Sequence, residues 1–342
     1  MVKSLNAAVI GLGVGERHVR GYLAEPRCKL VSICDLDKEK LETVGARYPG
    51  VKKLQDPDEV LSDPSIDVVS IASYDNYHAD QILKALATGK HIFVEKPFCL
   101  TQEEYSKIDE GLVENPQIHF SSNLVLRRAP QFLDLKKRLS ESYLGDIYYM
   151  EADYNYGRLH KLTGGWRGEI PYYCISHGGA IHMIDLILWL SGKIPVRVVA
   201  VGNDLSTKGT SFRYHSQVSA LLQFSDNSTG KVSANFSSVC PHHHALQVFG
   251  TRGAFIHTYE GGVYYDSRDP RVPGEKVNMP FLTEEKGAVQ KSFIAQILDG
   301  HKEDVSKQEV FRSMAVSLAI EKSLETGKWE SVRYGKSANI QF

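Results

Sequence analysis

Two α/β domains are what the sequence predicts: a doubly wound parallel sheet first, then a strand-rich region with antiparallel pairing. Three observations predict them. Short β-branched runs alternate with amphipathic segments over the first third of the chain, the rhythm of βαβ units. The first run ends in Gly11-Leu12-Gly13-Val14-Gly15, and an acid, Asp35, follows about 20 positions later. After about Asn123 the rhythm gives way to longer alternating runs, and 342 residues are enough for two cores.

The strands expected in the first region are Ala7–Ile10, Leu30–Cys34, Val68–Ala72, His91–Val94 and Ile118–Ser121. Helices are expected around His18–Ala24, Lys38–Arg47, Ala79–Thr88 and Gln102–Val113. Thr101 before Gln102-Glu103-Glu104 is a helix entry, with a cap residue and acids in the first turn. In the second region a helix around Gln131–Ser140 precedes strands Ile147–Tyr156, Val196–Val201, Gln217–Phe224, Lys231–Phe236 and Leu246–Phe249. Turn signals at Asp226-Asn227 and Thr251-Arg252-Gly253 suggest antiparallel neighbours. Helices near Glu284–Leu298 and Gln308–Thr326 close the chain, and Asp266–Pro280 reads as a surface loop.

Strand, tight turn and helix start together form the device that holds a dinucleotide pyrophosphate. Gly11 suits the turn, Gly13 leaves the phosphates room, and unpaired N–H groups of the helix opening near Val14 point at them. The third glycine of the motif would fall at Glu16, with Gly15 one place early. Asp35 ends the second β-branched run, where a carboxylate can accept from ribose hydroxyls. It favours NAD over NADP, because a 2′-phosphate would meet Asp35 and Asp37 with no adjacent arginine.

Bulk properties exclude other classes. A net charge of −1 with interspersed signs argues against nucleic-acid and membrane-surface proteins. The most apolar stretch, Ile181 to Leu190, is interrupted by His182 and Asp185. Met1 to Asn6 runs straight into the first strand, leaving no room for a secretory leader, and five scattered cysteines read as reduced thiols. A cytoplasmic protein is expected. His242-His243-His244 reads as a strand entry at solvent, since strand neighbours point to opposite faces; no metal site is expected.

Two further stretches carry chemistry. Glu95-Lys96-Pro97 follows a strand, at the sheet edge where open α/β folds bind ligands. Lys96 there can stabilise a developing alkoxide, or is a surface lysine in a turn. In Ser176 to Leu190, His182, Asp185 and Trp189 share a helix face. His182 can exchange a proton near neutral pH with Asp185 orienting it, or is a core histidine satisfied by Asp185. Aromatics Tyr154, Tyr156, Trp166, Tyr172 and Tyr173 suit sugar rings or ordinary packing.

Taken together, Gly11–Gly15 with His18, Glu95-Lys96-Pro97, Gly178–Asp185 before Leu-Trp-Leu, and Gly250-Thr251-Arg252-Gly253 resemble the Gfo/Idh/MocA family of NAD(P)-dependent oxidoreductases. The resemblance covers nearly the whole chain. It implies a Rossmann dinucleotide-binding domain over residues 1–122. It also implies a substrate-binding and oligomerisation domain over 123–342, with an open, largely antiparallel sheet. Substrates would be sugars, polyols or nucleotide sugars reacting at a secondary carbon. Lys96 matches the family's catalytic lysine and His182 its helix histidine, the proton donor or acceptor. Arg127 with Pro130 matches an Arg-x-x-Pro segment, and Trp166-Arg167 a pair near substrate.

Two departures stand out. Many members have an aspartate four residues before the histidine, where this chain has Gly178, with His177 adjacent and Tyr173 nearby. The loop after the fourth strand reads Ser73-Tyr74-Asp75-Asn76-Tyr77-His78 where Thr-Pro-Asn-x-x-His is usual. The implied cofactor set is Gly11, Leu12, Gly13, Val14, Gly15, Asp35, Ser73, Tyr74, Asp75, His78, Glu95 and Lys96. The implied substrate set is Lys96, Arg127, Trp166, Arg167, Tyr173, His177 and His182. An NAD-dependent dehydrogenase, acting as a homodimer or homotetramer, is the reading. The alternatives are a non-catalytic NAD(P)-binding sensor and an NAD-assisted glycosidase.

Overall fold

The computed structural model describes residues 4–280, 287–301 and 304–340. They form two compact units. One holds the described residues of Met1–Leu124, Glu284–Phe311 and Gly335–Phe342; the other holds those of Val125–Thr283 and Arg312–Tyr334. The sequence reading divides the chain once, at 122/123, because a periodicity change marks where one rhythm stops. It carries no sign that the described residues of 287–311 and 335–340 return to the first unit.

In the first unit, strands β1 (Leu5–Ile10), β2 (Cys28–Cys34), β3 (Lys52–Leu54), β4 (Val68–Ile71), β5 (His91–Val94) and β6 (Phe120–Ser122) form one sheet. Its order is β3-β2-β1-β4-β5-β6, parallel throughout. Crossovers run through helices α1 (Gly15–Leu23), α2 (Lys38–Gly45), α3 (Pro57–Ser62), α4 (His78–Ala87) and α5 (Gln102–Glu114). Thr101 and Glu104 cap α5 reciprocally, the entry expected there. The order reverses beside β1, so the carboxyl ends of β1 and β4 flank the crevice where such sheets bind ligands. Short β3 and α3 have no counterpart in the sequence reading.

The second unit contains α6 (Pro130–Ser140), β7 (Ile147–Asn155), two four-residue turns α7 (His160–Thr163) and α8 (Trp166–Glu169), and α9 (Ile181–Ser191). Strands β8 (Pro195–Asn203), β9 (Gln217–Phe224), β10 (Thr229–Asn235), β11 (His243–Gly250), β12 (Ala254–Thr258), β13 (Gly261–Tyr265) and β14 (Glu275–Lys276) follow. Helices α10 (Ala288–Asp299) and α11 (Lys307–Thr326) and strand β15 (Glu330–Ser331) complete the chain. The expected helix start at Glu284–Lys286 and the expected leaderless Met1–Lys3 lie outside the described residues. Among the described residues nine strands make one mixed sheet, β14-β13-β12-β11-β7-β10-β9-β8-β15. Only β7 and β10 run parallel; the other pairs are antiparallel. Met150, Ala152, Val218, Ala220, Leu222 and Val232 alternate onto the inner face, where α9 is buried along almost its whole length.

The later stretches finish the first unit. Phe293 of α10 packs on Phe93, with ring centroids 5.7 Å apart, and Phe311 on Phe98, Tyr105 and Phe120. Asp109 of α5 accepts from the backbone N–H of Lys336 and Ser337, at 2.8 and 2.6 Å. No helix among the described residues is long and apolar enough to cross a membrane.

Candidate active site

The two units are described separately. In the first, β1 delivers the glycine turn. Gly11 has φ +86°, and a Cβ there would overlap the Ala72 carbonyl, so only glycine fits. Gly13 faces open space, which leaves room for a ligand to approach its backbone. Gly15 makes the close helix-to-sheet contact: a Cβ on it would lie 3.0 Å from Val9 and 3.1 Å from Ala72. That frees the next position for Glu16, which pairs with Arg20 and Arg47. The exposed Val14 precedes α1, whose first N–H groups need acceptors.

Asp35 ends β2. Its Oδ2 accepts from the Leu12 N–H at 2.7 Å and its Oδ1 from the Asp37 N–H at 2.9 Å, while Lys40 Nζ stands 3.4 Å away. The carboxylate thus ties the glycine turn to the neighbouring strand. Two oxygens offer about four acceptor positions, so capacity for ribose hydroxyls remains. This donor and acceptor set fits a dinucleotide.

Lys96 follows β5, as expected, and the Lys96–Pro97 peptide is cis. Its neighbours differ from expectation. Glu95, expected to touch cofactor, is buried, with Oε1 3.0 Å from His18 Nε2 and accepting from Asn123 Nδ2 at 2.6 Å. His18 Nδ1 meets Ser70 Oγ at 3.0 Å, and Ser70 also meets the Tyr22 hydroxyl. Burial alone would push the Glu95 carboxyl up; the His18 hydrogen bond and charge, then Lys96 and Asn123, bring it below the usual range. His78, expected on the cofactor, is fully buried, its ring nitrogens 2.6 Å from Pro97 O and 3.1 Å from Ser73 O. Both side chains brace the loops that carry Ser73 and Lys96, because buried polar groups must find partners. Of the loop itself, Tyr74 is exposed, Asp75 is buried and Ser73 donates to Gln81 Oε1.

In the second unit, a wide π-type turn, Ser176–Ala180, leads into α9 and sets His182 at its start. The Tyr154 ring of β7 lies near-parallel to the His182 imidazole, centroids 5.9 Å apart. His242 and His244 meet Tyr154 edge-on, at 5.1 and 5.2 Å. The β11–β7 register sets His244 opposite Tyr154. His243 points to the other side, onto His257 and Tyr259, as strand alternation requires. The expected solvent exposure of this triplet holds for His242 alone; His243 and His244 are buried. Burial pushes His244 down to about 3, so its ring stays neutral near pH 7.

Three further residues of the expected site have buried partners here. Asp185, expected to orient His182, accepts from Arg127 Nε at 2.9 Å and Nη2 at 2.6 Å, and from Ser313 Oγ at 3.2 Å. Arg127, expected on substrate, is correspondingly buried: a buried carboxylate needs a charged, hydrogen-bonding partner. His177, expected on substrate, is buried with Nδ1 2.7 Å from Ser317 Oγ. Trp166 and Arg167 stay half-buried, the guanidinium 4.6 Å over the indole. Tyr173 is buried and accepts from Arg167 Nε at 3.0 Å.

Residues 5–122 match the model of an oxidoreductase family, NAD-binding Rossmann fold, and residues 132–256 match the GFO/IDH/MocA C-terminal domain. The chain is 32% identical to scyllo-inositol 2-dehydrogenase (NAD(+)) of Bacillus subtilis, over 75% of this chain and 74% of that protein. It is 24% identical to myo-inositol 2-dehydrogenase of Thermotoga maritima, over 94% and 96%. A solved levoglucosan dehydrogenase in complex with NADH shares the fold, with a TM-score of 0.84, 23% identity and coverage of 97% and 100%.

Proposed function

Because the chain belongs to the Gfo/Idh/MocA oxidoreductase family, we propose that it is an NAD-dependent dehydrogenase of a polyol or sugar. The observation that carries this is the intact cofactor turn of the first unit, Gly11 to Gly15 tied to Asp35, followed by Lys96 at the next but one strand end. NAD, held by the turn and Asp35, supplies the hydride acceptor when bound. Lys96 Nζ donates to the alcohol oxygen and stabilises its growing negative charge. His182 takes the hydroxyl proton, so the secondary alcohol loses one proton and one hydride and leaves as the ketone. Tyr154, His242 and the neutral His244 offer ring faces and hydrogen-bonding edges suited to a ring of CH and OH groups. Relatives named for scyllo-inositol, myo-inositol and levoglucosan support a cyclic polyol.

The open face of the second sheet supports a homodimer or homotetramer. Val201, Leu221, Phe249, Ile256 and Val263 share that face with the Lys231–Glu151–Asp153 ion cluster, a mixed surface that self-association can cover. Five reduced cysteines and the absence of any membrane-crossing helix among the described residues support a cytoplasmic setting.

The test is NADH formation from NAD with scyllo-inositol, myo-inositol or levoglucosan, followed by stopped-flow hydride transfer in variants. Lys96→Ala and His182→Ala should each slow the step by roughly 10²- to 10⁴-fold. A wild-type rate in either variant removes that residue from the mechanism. Sugar release from a glycoside without net NADH would replace simple dehydrogenation by transient oxidation.

A further inference from the structure

A row of rings in the second unit carries two guanidinium groups. Tyr154, which lies near-parallel to His182, stacks in turn on Tyr156, with centroids 5.5 Å apart. Arg158 lies over the Tyr156 ring, its guanidinium carbon 5.0 Å from the centroid. Arg167 lies over Trp166 at 4.6 Å and donates to the Tyr173 oxygen at 3.0 Å. The two cations come from different segments, Arg158 from the chain just after β7 and Arg167 from α8. Both act on the Tyr154 hydroxyl. Burial raises that phenol above its ordinary value and Tyr156 adds to the rise, while the charges of Arg167 and Arg158 pull against it. The phenol therefore stays protonated near pH 7 and can donate. Tyr154 is 7% exposed, yet no group among the described residues hydrogen-bonds its hydroxyl. The acids around it are engaged elsewhere. Glu151 and Asp153 of β7 bind Lys231 on the opposite face, and Asp185 is bound by Arg127 and Ser313. Glu169 of α8 is exposed, and no carboxylate among the described residues pairs with Arg158.

We propose that Arg158, Arg167 and the Tyr154 hydroxyl form an anion subsite, and that the substrate is a sugar or polyol carrying an acidic substituent, a carboxylate or a phosphate. The proposal rests on His182 being the proton-transfer residue, because Tyr154 ties the subsite to the reacting carbon. A guanidinium laid on a ring keeps its N–H groups in its own plane, directed past the ring edge, where they match the oxygens of an anion. The stacking also fixes both side chains in advance, so less freedom is lost on binding. The Tyr154 hydroxyl adds a third donor. His242 stands edge-on to both Tyr154 and Tyr156, at 5.1 and 5.0 Å, and closes the subsite from β11. The Tyr154 and His182 rings are 5.9 Å apart, so one sugar ring spans the acid and the reacting carbon. A neutral ring offers these cations no counter-charge.

The test compares neutral sugars with their acids on the full chain: glucose with glucuronate and glucose 6-phosphate, galactose with galacturonate, and myo-inositol with its 1-phosphate. Two readouts are taken, NADH formation from NAD and the dissociation constant from the fluorescence of bound NADH, so a compound that binds without reacting still counts. At least one acid should exceed its parent by about tenfold or more in kcat/KM or in affinity, the scale of charge-assisted hydrogen bonds. The uronates and the phosphate esters tell a carboxylate ligand from a phosphate. The advantage should shrink as NaCl is raised. Arg158→Gln should bring the ratio of acid to parent toward one, and Arg158→Glu should invert it. Both substitutions fall at an exposed position and should keep the wild-type circular dichroism. Tyr154→Phe keeps the ring, loses the donor, and should lose about three- to tenfold of the advantage. Acids no better than their parents overturn the inference, and so does an advantage that Arg158→Glu leaves in place. If His182→Ala keeps the wild-type rate, the proton-transfer assignment fails and this inference falls with it. If His182→Ala is slow while no acid gains over its parent, only the inference falls.

Discussion

The first unit buries a carboxylate that must stay charged, and the second buries imidazoles that must stay neutral. Glu95 lies among His18, Asn123 and the neighbouring Lys96, which hold its carboxyl below the usual range against the push of burial. His244 and His257 lie among rings and strands, and burial drives them down to about 3 and 4. Both arrangements place polar groups beside a candidate catalytic residue, Lys96 in one unit and His182 in the other. They respond to acid at different points. A carboxylate with a lowered folded value contributes stability above its unfolded value near 4.5, and loses it as pH falls through the folded value. An imidazole with a lowered folded value contributes stability above its unfolded value of 6.5 and loses it as pH falls from there toward 4 and 3. The second unit should therefore begin to weaken through His244 and His257 below pH 6.5, whereas Glu95 withdraws its own contribution from the first unit only below pH 4.5.

The strongest test removes the permanent cation that the second unit uses for its own buried acid. Arg127→Ala leaves Asp185 charged and buried, and should cost about 3–5 kcal/mol of unfolding free energy in urea. Glu95→Gln retains a hydrogen-bonding group and should cost less, about 1–3 kcal/mol at neutral pH. It should also flatten the stability profile below pH 4.5; an unchanged slope there would assign that acid response to other carboxylates. His244→Gln should remove part of the loss between pH 6.5 and about 3, read as a shallower slope of urea midpoint against pH. If the second unit keeps its full stability down to pH 4.5, the contrast between the units breaks. The smallest effect concerns the cofactor. Asp35→Asn loses the charge on the acceptor of the Leu12 and Asp37 N–H groups, and should raise KM for NAD about tenfold, or about 1.4 kcal/mol.

The same division runs through what the sequence discloses. The parallel sheet is legible because β1, β2, β4 and β5 are apolar runs separated by amphipathic helices with caps at expected places. β3 escapes because Lys52 and Lys53 are exposed and only Leu54 is buried, which leaves no run to detect. β12 and β13 are five residues each, below the length at which alternation stands out. Gly11, Asp35, Lys96 and His182 are legible because their roles lie in local geometry: a turn, a strand end, a helix start. Their partners are not. His18 lies 77 residues from Glu95 and Arg127 lies 58 from Asp185, and nothing in a linear pattern pairs them. His78 and His177 stand in motifs that suggest ligand contacts, and the motifs do not disclose the buried partners each ring meets in the fold. The imidazole pair beside Tyr154 became visible only through strand register, which sets His244 across from Tyr154.

The first unit is assembled from three separate stretches, and this has a consequence for its birth on the ribosome. Synthesis runs from the amino end, so the parallel sheet and its glycine turn emerge long before Phe293, Phe311 and the Gly335 to Ser337 backbone that cover Phe93, Phe98, Tyr105 and Asp109. Until then the nascent unit carries uncovered aromatic rings and an unanswered carboxylate. The sheet is written first and its aromatic core is closed last, only after the whole second unit has been made.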